Sequence, residues 1–142
     1  MPSLFAIHFT LTAFMTGFIW LIQCVHYPAF HWISPLRYHE FCKFHVKHTT
    51  FIVAPVMIAE AITGFFICVY PPKQIPLPAL WANLGFLALI WLSTQKLSVP
   101  LHQKLASAYD AQAVDQLVAT NWPRTVLWTL RCLGLLFFAE SL

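Results

Sequence analysis

The sequence predicts an all-α fold, an integral membrane four-helix bundle that forms a single domain over residues 1–142. The chain is 59% hydrophobic and only 9% charged, whereas a soluble domain is close to half apolar and one quarter charged. Four apolar segments stand out, each near the ~20 residues that cross a ~30 Å hydrocarbon layer. Helices are the predicted form because a lone strand would leave backbone groups unpaired in lipid.

The four predicted helices cover about residues 4–25, 46–70, 79–98 and 123–140. The first has no basic stretch or cleavage site before it, so we expect it to be retained. Pro55 should kink the second helix. Asp110 should cap a short interfacial helix whose apolar residues recur at helical spacing, and Pro123 suits the first turn of the fourth helix.

The two long connections, residues 26–48 and 98–122, lie on the same side of a four-span protein. Most basic residues lie in or beside these two connections, while Lys73 lies on the other side. The positive-inside rule therefore predicts cytoplasmic connections and both termini outside. The expected partners are the lipid bilayer and a hydrophobic small molecule, with homo-oligomerisation left open. No basic run is long enough to predict nucleic-acid binding.

Six of the seven histidines map to the predicted cytoplasmic side. His26 ends the first helix, His45 and His48 lie three residues apart, and His102 follows the third helix. Imidazole is a common metal ligand and axial haem ligand. The sequence thus indicates a metal site of His45, His48 and His102, with His26 added in a wider cofactor set. Haem, iron and copper are candidates.

Other roles for these histidines remain open. The rings could act as acid and base, or they could lie among lipid headgroups, where an amphipathic ring is stable. His31 and His39 are not expected to be ligands, and His8 is expected to be structural. The four cysteines are scattered singly, so we expect small apolar side chains and no disulfide.

Two opposite charges are predicted at matching depth in the bilayer. Glu60 lies twelve residues after His48, ~18 Å deeper along a helix, and Arg131 lies ten residues after Asn121, ~15 Å deeper. A lone charge there costs at least about 2.5–3.5 kcal/mol. We therefore predict a buried ion pair between Glu60 and Arg131. It would either fix helix packing or orient a substrate or proton.

One short motif follows the predicted third helix, and another opens the predicted fourth helix. VPLHQKL contains Pro100, Leu101, His102 and Leu105, and TNWPRT contains Asn121, Arg124 and Thr125. These motifs resemble those of the anthrone-oxygenase-like family of small four-helix membrane proteins. The front half, HYPAF followed by FHVKHTTFIVAPVMIAE, resembles an uncharacterised bacterial branch, which implies a location in the inner (plasma) membrane of a bacterium. The resemblance implies oxidation of polyketide anthrones to quinones by dioxygen, with His102, Asn121 and Arg124 as catalytic candidates. His102 stands where that family often has Asn.

The sequence leaves open whether the protein is an enzyme. The first hypothesis is an oxygenase-like oxidoreductase with a His-rich metal or haem site at the cytoplasmic membrane edge. It would act on an aromatic or quinone-like substrate, with Arg124 and Asn121 stabilising negative charge on an oxygen. The alternative is a non-enzymatic membrane module, either lipid-binding or an accessory subunit. A small transporter would also explain the midplane charges, but it fits one short bundle less well.

Overall fold

The fold is all-α, as a computed structural model that describes residues 2–139 shows. Within these residues five α-helices form the fold: α1 Pro2–Leu21, α2 Tyr38–Val69, α3 Leu77–Ser93, α4 Val99–Ser107 and α5 Ala111–Ala139. No strand occurs within the described range. Short 3₁₀ turns, Pro28–Trp32 and Pro35–Arg37, lead from the first helical stretch into α2. The predicted fold class is thereby confirmed at the level of an all-α protein.

Two wide π-helical turns extend the first and third helical stretches. Ile22–His26 continues α1, and Thr94–Ser98 joins α3 to α4. In the first turn the N–H of Tyr27 donates to the carbonyl of Ile22 at 3.0 Å. A proline lies two residues after the end of each turn, Pro28 or Pro100. A proline ring clashes with the carbonyl four residues before it, and a wider turn gives it room.

Three helical stretches are long and apolar enough to cross a membrane: Ser3–Trp32, Pro35–Val69 and Leu77–Ser107. These lengths and compositions are compatible with a membrane bundle. α5 is long enough, with 29 residues, but it is not apolar enough to be counted among these stretches. Its first half is rich in polar residues, and two arginines follow. Four membrane spans, and their orientation, therefore stay a prediction.

Several predicted helix boundaries are wrong. α2 begins at Tyr38 rather than near residue 46, and the third helical stretch continues to Ser107. The predicted interfacial helix is not separate, because α5 runs through Pro123 without a break. Residues on both sides of Pro123 pack into the same apolar core, Val114 and Leu117 before it and Trp128 after it. This shared burial stabilises the helix despite the hydrogen bond that proline cannot make.

The core has two apolar clusters with polar residues between them. One cluster includes Met15, Met57, Ile90 and Trp128, and the other includes Phe5, Ile67, Leu80 and Leu135. Polar side chains lie between the two clusters on four helices. They are His8 and Thr12 on α1, Glu60 on α2, Asn83 on α3 and Arg131 on α5. The polar layer therefore crosses the whole bundle and separates the two ends of its interior.

Candidate functional site

The polar layer is organised around Glu60. Arg131 donates from Nη1 to Glu60 Oε1 at 2.8 Å, and both side chains have no exposed area. Thr12 donates to the same oxygen at 2.8 Å, and Trp128 Nε1 donates to Oε2 at 3.2 Å. Arg131 Nε also donates to Asn83 at 3.1 Å. The two residues expected to pair are thus in direct contact, and their partners tie α1, α2, α3 and α5 together.

A cluster of imidazoles lies at one end of the bundle interior, beside the apolar cluster that includes Met57, Tyr27 and Phe30. His26 Nε2 and His45 Nδ1 share a hydrogen bond of 2.7 Å. The hydroxyl of Tyr27 and His102 Nε2 are 3.1 Å apart. The ring centroids of His45 and His102 are separated by 5.1 Å. Three of the four predicted cofactor-binding histidines therefore meet, and Tyr27 joins them.

Local backbone structure explains this convergence. The π-helical turn and Pro28 carry His26 and Tyr27 past the end of α1 and over the start of α2. His45 lies on the buried face of α2, and His102 lies in the first turn of α4. Phe30, which is fully buried, packs edge-on against His45 with ring centroids 5.1 Å apart. Tyr27 was not predicted, although it follows His26 directly in the sequence.

His48 does not join the cluster. Three residues turn an α-helix by about 300°, so His48 lies beside the buried face of α2 rather than on it. The ring is exposed, stacks on Phe44 with centroids 3.9 Å apart, and donates from Nδ1 to the Phe44 carbonyl at 2.8 Å. The structure thus places His45 and His102 together but leaves His48 outside.

The remaining histidines have separate partners. His31 pairs with Asp115 at 3.0 Å, and His39 bonds the backbone carbonyl of Ala106. His8 is buried and lies 2.8 Å from the Thr63 hydroxyl in the polar layer. None of the three histidines lies in the imidazole cluster of His26, His45 and His102.

Ligand geometry does not fit a metal site built from His45, His48 and His102. Over residues 2–139, no three His, Cys, Asp or Glu side chains are arranged to hold a metal ion. The facing nitrogens of His26 and His45 are occupied by their mutual hydrogen bond. The imidazoles of His26 and His45 therefore form a hydrogen-bonded pair that shares a proton, and their facing nitrogens are not free to bind a metal ion. Haem binding stays a prediction.

A cleft of about 560 Å³ opens between α2 and the stretch formed by α3, the π-helical turn and α4. We refer to it as the α2–α4 cleft. Its apolar lining includes Val53, Ala54, Met57, Trp91 and Val99. Its polar lining includes Tyr27, His45, Thr49, Thr94, Ser98, His102 and Arg124. An apolar cavity of this size with a few convergent polar groups is typical of a small-molecule site.

Two of the predicted catalytic residues differ in their relation to this cleft. Arg124 lines it and is 5% exposed. Asn121 is fully buried behind it, where its amide donates to Gln23 at 2.8 Å and accepts from Arg124 Nη2. Arg124 Nη1 reaches Thr94 at 3.4 Å. Asn121 is thus placed to position the guanidinium rather than to touch a ligand.

Comparisons of the chain with family models, curated proteins and solved structures give no match. The resemblance to the anthrone-oxygenase-like family therefore stays a prediction.

Proposed function

We propose that this protein binds a hydrophobic aromatic or quinone-like molecule in the α2–α4 cleft and oxidises it with dioxygen. One observation supports the proposal above all others. The same apolar cleft is lined by the imidazoles of His45 and His102 and by the guanidinium of Arg124. The two imidazoles, which can exchange a proton, and the guanidinium, which stays positively charged, thus face the same cleft.

Proton removal is the role best suited to the imidazoles. Imidazole is the commonest general base because its ordinary pKa lies near neutral pH. His45 is hydrogen-bonded to His26, and His102 to Tyr27. A proton taken from the ligand by His45 or His102 can therefore be shared with a second group. Arg124 would stabilise the negative charge that develops on the ligand oxygen.

Oxidation would follow from that anion. Loss of a proton from an anthrone-like carbon gives an electron-rich enolate, which dioxygen can attack. Both C–H bonds of that carbon break, and one oxygen atom becomes its carbonyl oxygen. The second oxygen atom leaves as water with both hydrogens, so four electrons pass from substrate to dioxygen. The protein residues supply the proton acceptor and the anion site.

The cleft's position fits a substrate that arrives from lipid. The lining residues of α2 and α4 belong to two of the three stretches that are apolar and long enough to span a membrane. We place the protein in a bacterial plasma membrane, with both termini outside and the histidine cluster near the cytoplasmic face. Lys43 and Lys47 line the cleft on that side.

A non-enzymatic membrane module is the second candidate. The specific observation in its favour is that Tyr27, His26, His45 and His102 already bond one another in pairs. A cluster of this kind can simply fix the packing of α1, α2 and α4. The protein would then hold a hydrophobic molecule in the cleft without converting it.

Oxygen consumption separates the two candidates. Protein in lipid nanodiscs is mixed with anthrone, and oxygen uptake is compared with the spontaneous rate in empty discs. Wild type should exceed that rate. His45→Gln and His102→Gln should lower kcat by about 10²–10⁴-fold, the range for loss of a general base.

His48→Gln is the matched control because its ring lies outside the cleft, and it should keep wild-type activity. No uptake above the spontaneous rate with wild type, in the presence of measurable anthrone binding, would overturn the oxygenase proposal and favour the binding module. Equal losses in all three variants would show that the imidazoles act only through general stability.

A further inference from the structure

Three residues that line the α2–α4 cleft each have one buried polar atom without a hydrogen-bond partner among residues 2–139. These atoms are Trp91 Nε1, Ser98 Oγ and Arg124 Nε. Ser98 is 2% exposed and Arg124 is 5% exposed. A buried donor without a partner costs about 1–3 kcal/mol, and more when it is charged. Such groups are usually satisfied by water or by a ligand.

The three residues that carry these atoms belong to one region of the cleft wall. Trp91, Thr94 and Ser98 follow one another along the same stretch of α3 and the π-helical turn, and all three line the cleft. Arg124 approaches this stretch from α5 and bonds to Thr94 at 3.4 Å. The wider turn changes the register of the helix between Trp91 and Ser98. We call Trp91, Ser98 and Arg124 the donor wall.

Charge distinguishes this region from an ordinary polar pocket. Arg124 bonds to the neutral side chains of Thr94 and Asn121, and no carboxylate among residues 2–139 pairs with it. A buried guanidinium without a counter-ion is costly, so a bound anion would stabilise it. The exposed lysines Lys43 and Lys47 line the same cleft and add positive potential where a ligand would enter.

We infer that the donor wall is a subsite for an ionised oxygen on a hydrophobic body. The oxygen accepts hydrogen bonds from Trp91, Ser98 and Arg124, while the body lies between Val53, Met57 and Val99. This inference rests on the proposed function in placing the ligand in the same cleft, and it specifies the ligand as a hydrophobic anion. Binding of the anion requires neither proton transfer nor dioxygen, so it can be tested apart from catalysis.

Two matched pairs of probes test the charge requirement. Pentachlorophenol is ionised at neutral pH, and pentachloroanisole is its methyl ether. Dodecanoate and methyl dodecanoate form the corresponding aliphatic pair. Binding to protein in nanodiscs of neutral lipid is measured against empty discs, which corrects for partition into lipid. At least one anion should bind tenfold or more tightly than its methyl derivative, and the responding pair shows whether the anion is an aromatic oxyanion or an alkyl carboxylate.

Single substitutions test the donor wall itself. Ser98→Ala and Trp91→Phe each remove one donor, so each should weaken binding of the anion about ten- to 150-fold, as loss of one hydrogen bond to a charged group does. Neither should change binding of the methyl derivative. Ser93→Ala is the control, because Ser93 also has a buried unpaired hydroxyl on α3 but does not line the cleft.

Two results would overturn the inference. One is equal affinity for both anions and their methyl derivatives. The other is a loss in Ser93→Ala as large as that in Ser98→Ala. Tight anion binding by a protein that consumes no oxygen would leave the donor wall established and remove only the oxygenase proposal. Oxygen uptake without any preference for the anion would remove the donor wall and leave the oxygenase proposal standing.

Discussion

Asn121 on α5 donates a hydrogen bond to Gln23 at 2.8 Å, directly behind the guanidinium of Arg124. Gln23 lies in the π-helical turn after α1 and in turn donates to the backbone carbonyl of Val118 at 3.1 Å. The amide pair therefore joins the end of the first helical stretch to α5. It also fixes the position of a cation that has no carboxylate partner in the described part of the chain.

Asn121→Ala should weaken ligand binding in the α2–α4 cleft although Asn121 does not line it. The substitution removes the acceptor that holds Arg124 and leaves Gln23 Oε1 with only the more distant Thr125 hydroxyl, at 3.3 Å, as a donor. Loss of a buried polar partner costs about 1–3 kcal/mol in stability. The affinity for a hydrophobic anion should fall while that for its methyl derivative stays constant. Binding titration in nanodiscs and thermal unfolding measure the two effects.

Thr120→Ala is the control for this experiment. Thr120 precedes Asn121 and bonds the carbonyl of Gln116 one turn back in α5. Loss of that local bond should leave anion binding unchanged. If Asn121→Ala lowers affinity for the anion and its methyl derivative equally, Asn121 serves the packing of α5 and not the position of Arg124.

Glu60→Gln should destabilise the bundle strongly. It removes the negative charge that faces Arg131 in a fully buried pair, and breaking such a pair costs about 3–5 kcal/mol. Thermal unfolding in detergent should show a lower midpoint than wild type. Glu40→Gln, an exposed carboxylate in the first turn of the same helix, should have little effect.

A second substitution tests whether the charge left on Arg131 is the cause. Glu60→Gln combined with Arg131→Met replaces the pair by neutral groups, and it should recover part of the lost stability because replacing both charges of a buried pair is often neutral. A double variant that is less stable than Glu60→Gln alone would show that Arg131 stabilises the bundle mainly through Asn83.

Sequence reasoning reached the fold class and the pairing of Glu60 with Arg131 for a simple physical reason. Hydropathy and helical rise fix the depth of each residue, and charges at equal depth must find partners. The same reasoning brought His26, His45 and His102 to one level. It could not fix the angle around each helix axis, which decides that His45 is buried and His48 is exposed.

The donor wall could not be predicted from the sequence. Trp91 and Ser98 lie on the third helical stretch and Arg124 lies on α5, so their approach to one cleft depends on how the two stretches pack. The π-helical turn Thr94–Ser98 also sets the direction of Ser98, and its presence depends on tertiary packing as well as on Pro100. The continuity of α5 through Pro123 has a similar cause, since the burial of Val114, Leu117 and Trp128 outweighs the helix-breaking tendency of proline.

Gly64→Ala should destabilise the packing of α1 against α2. A methyl group at Gly64 would lie 3.1 Å from Cε1 of His8 and 3.3 Å from a methyl group of Leu84. Both contacts are tight, and the His8 ring is held by Thr63 at 2.8 Å, so it has little room to move. Overpacking of a core typically costs about 1–3 kcal/mol. Thermal unfolding measures the loss.

Gly85→Ala is the matched control on α3. A methyl group there meets no atom within 4 Å, and alanine favours a helix over glycine by about 0.5–1 kcal/mol. The control should therefore be neutral or stabilising. If Gly64→Ala raises the unfolding midpoint as Gly85→Ala does, the His8 ring adapts freely and the close approach of α1 and α2 is not under steric control.

Asp110 should stabilise the start of α5 in a pH-dependent way. Its carboxylate accepts the N–H of Ala113 at 3.0 Å and pairs with Lys104 at 2.6 Å. The hydrogen bond from Lys104, helped by that of Ala113, holds the pKa of Asp110 below its ordinary value of 3.8. A lowered pKa means that the contribution is present above pH 3.8 and is lost as the pH falls through the folded-state value. The difference in unfolding midpoint between wild type and Asp110→Ala should thus be large at pH 7 and shrink toward pH 3.

Asp110→Asn retains an oxygen for the Ala113 N–H but no charge, so its own deficit relative to wild type isolates the interaction with Lys104. A deficit of Asp110→Ala that is the same at pH 7 and pH 3 would show that the cap acts through the neutral carboxyl as well as the carboxylate, and that the ion pair with Lys104 adds nothing to stability.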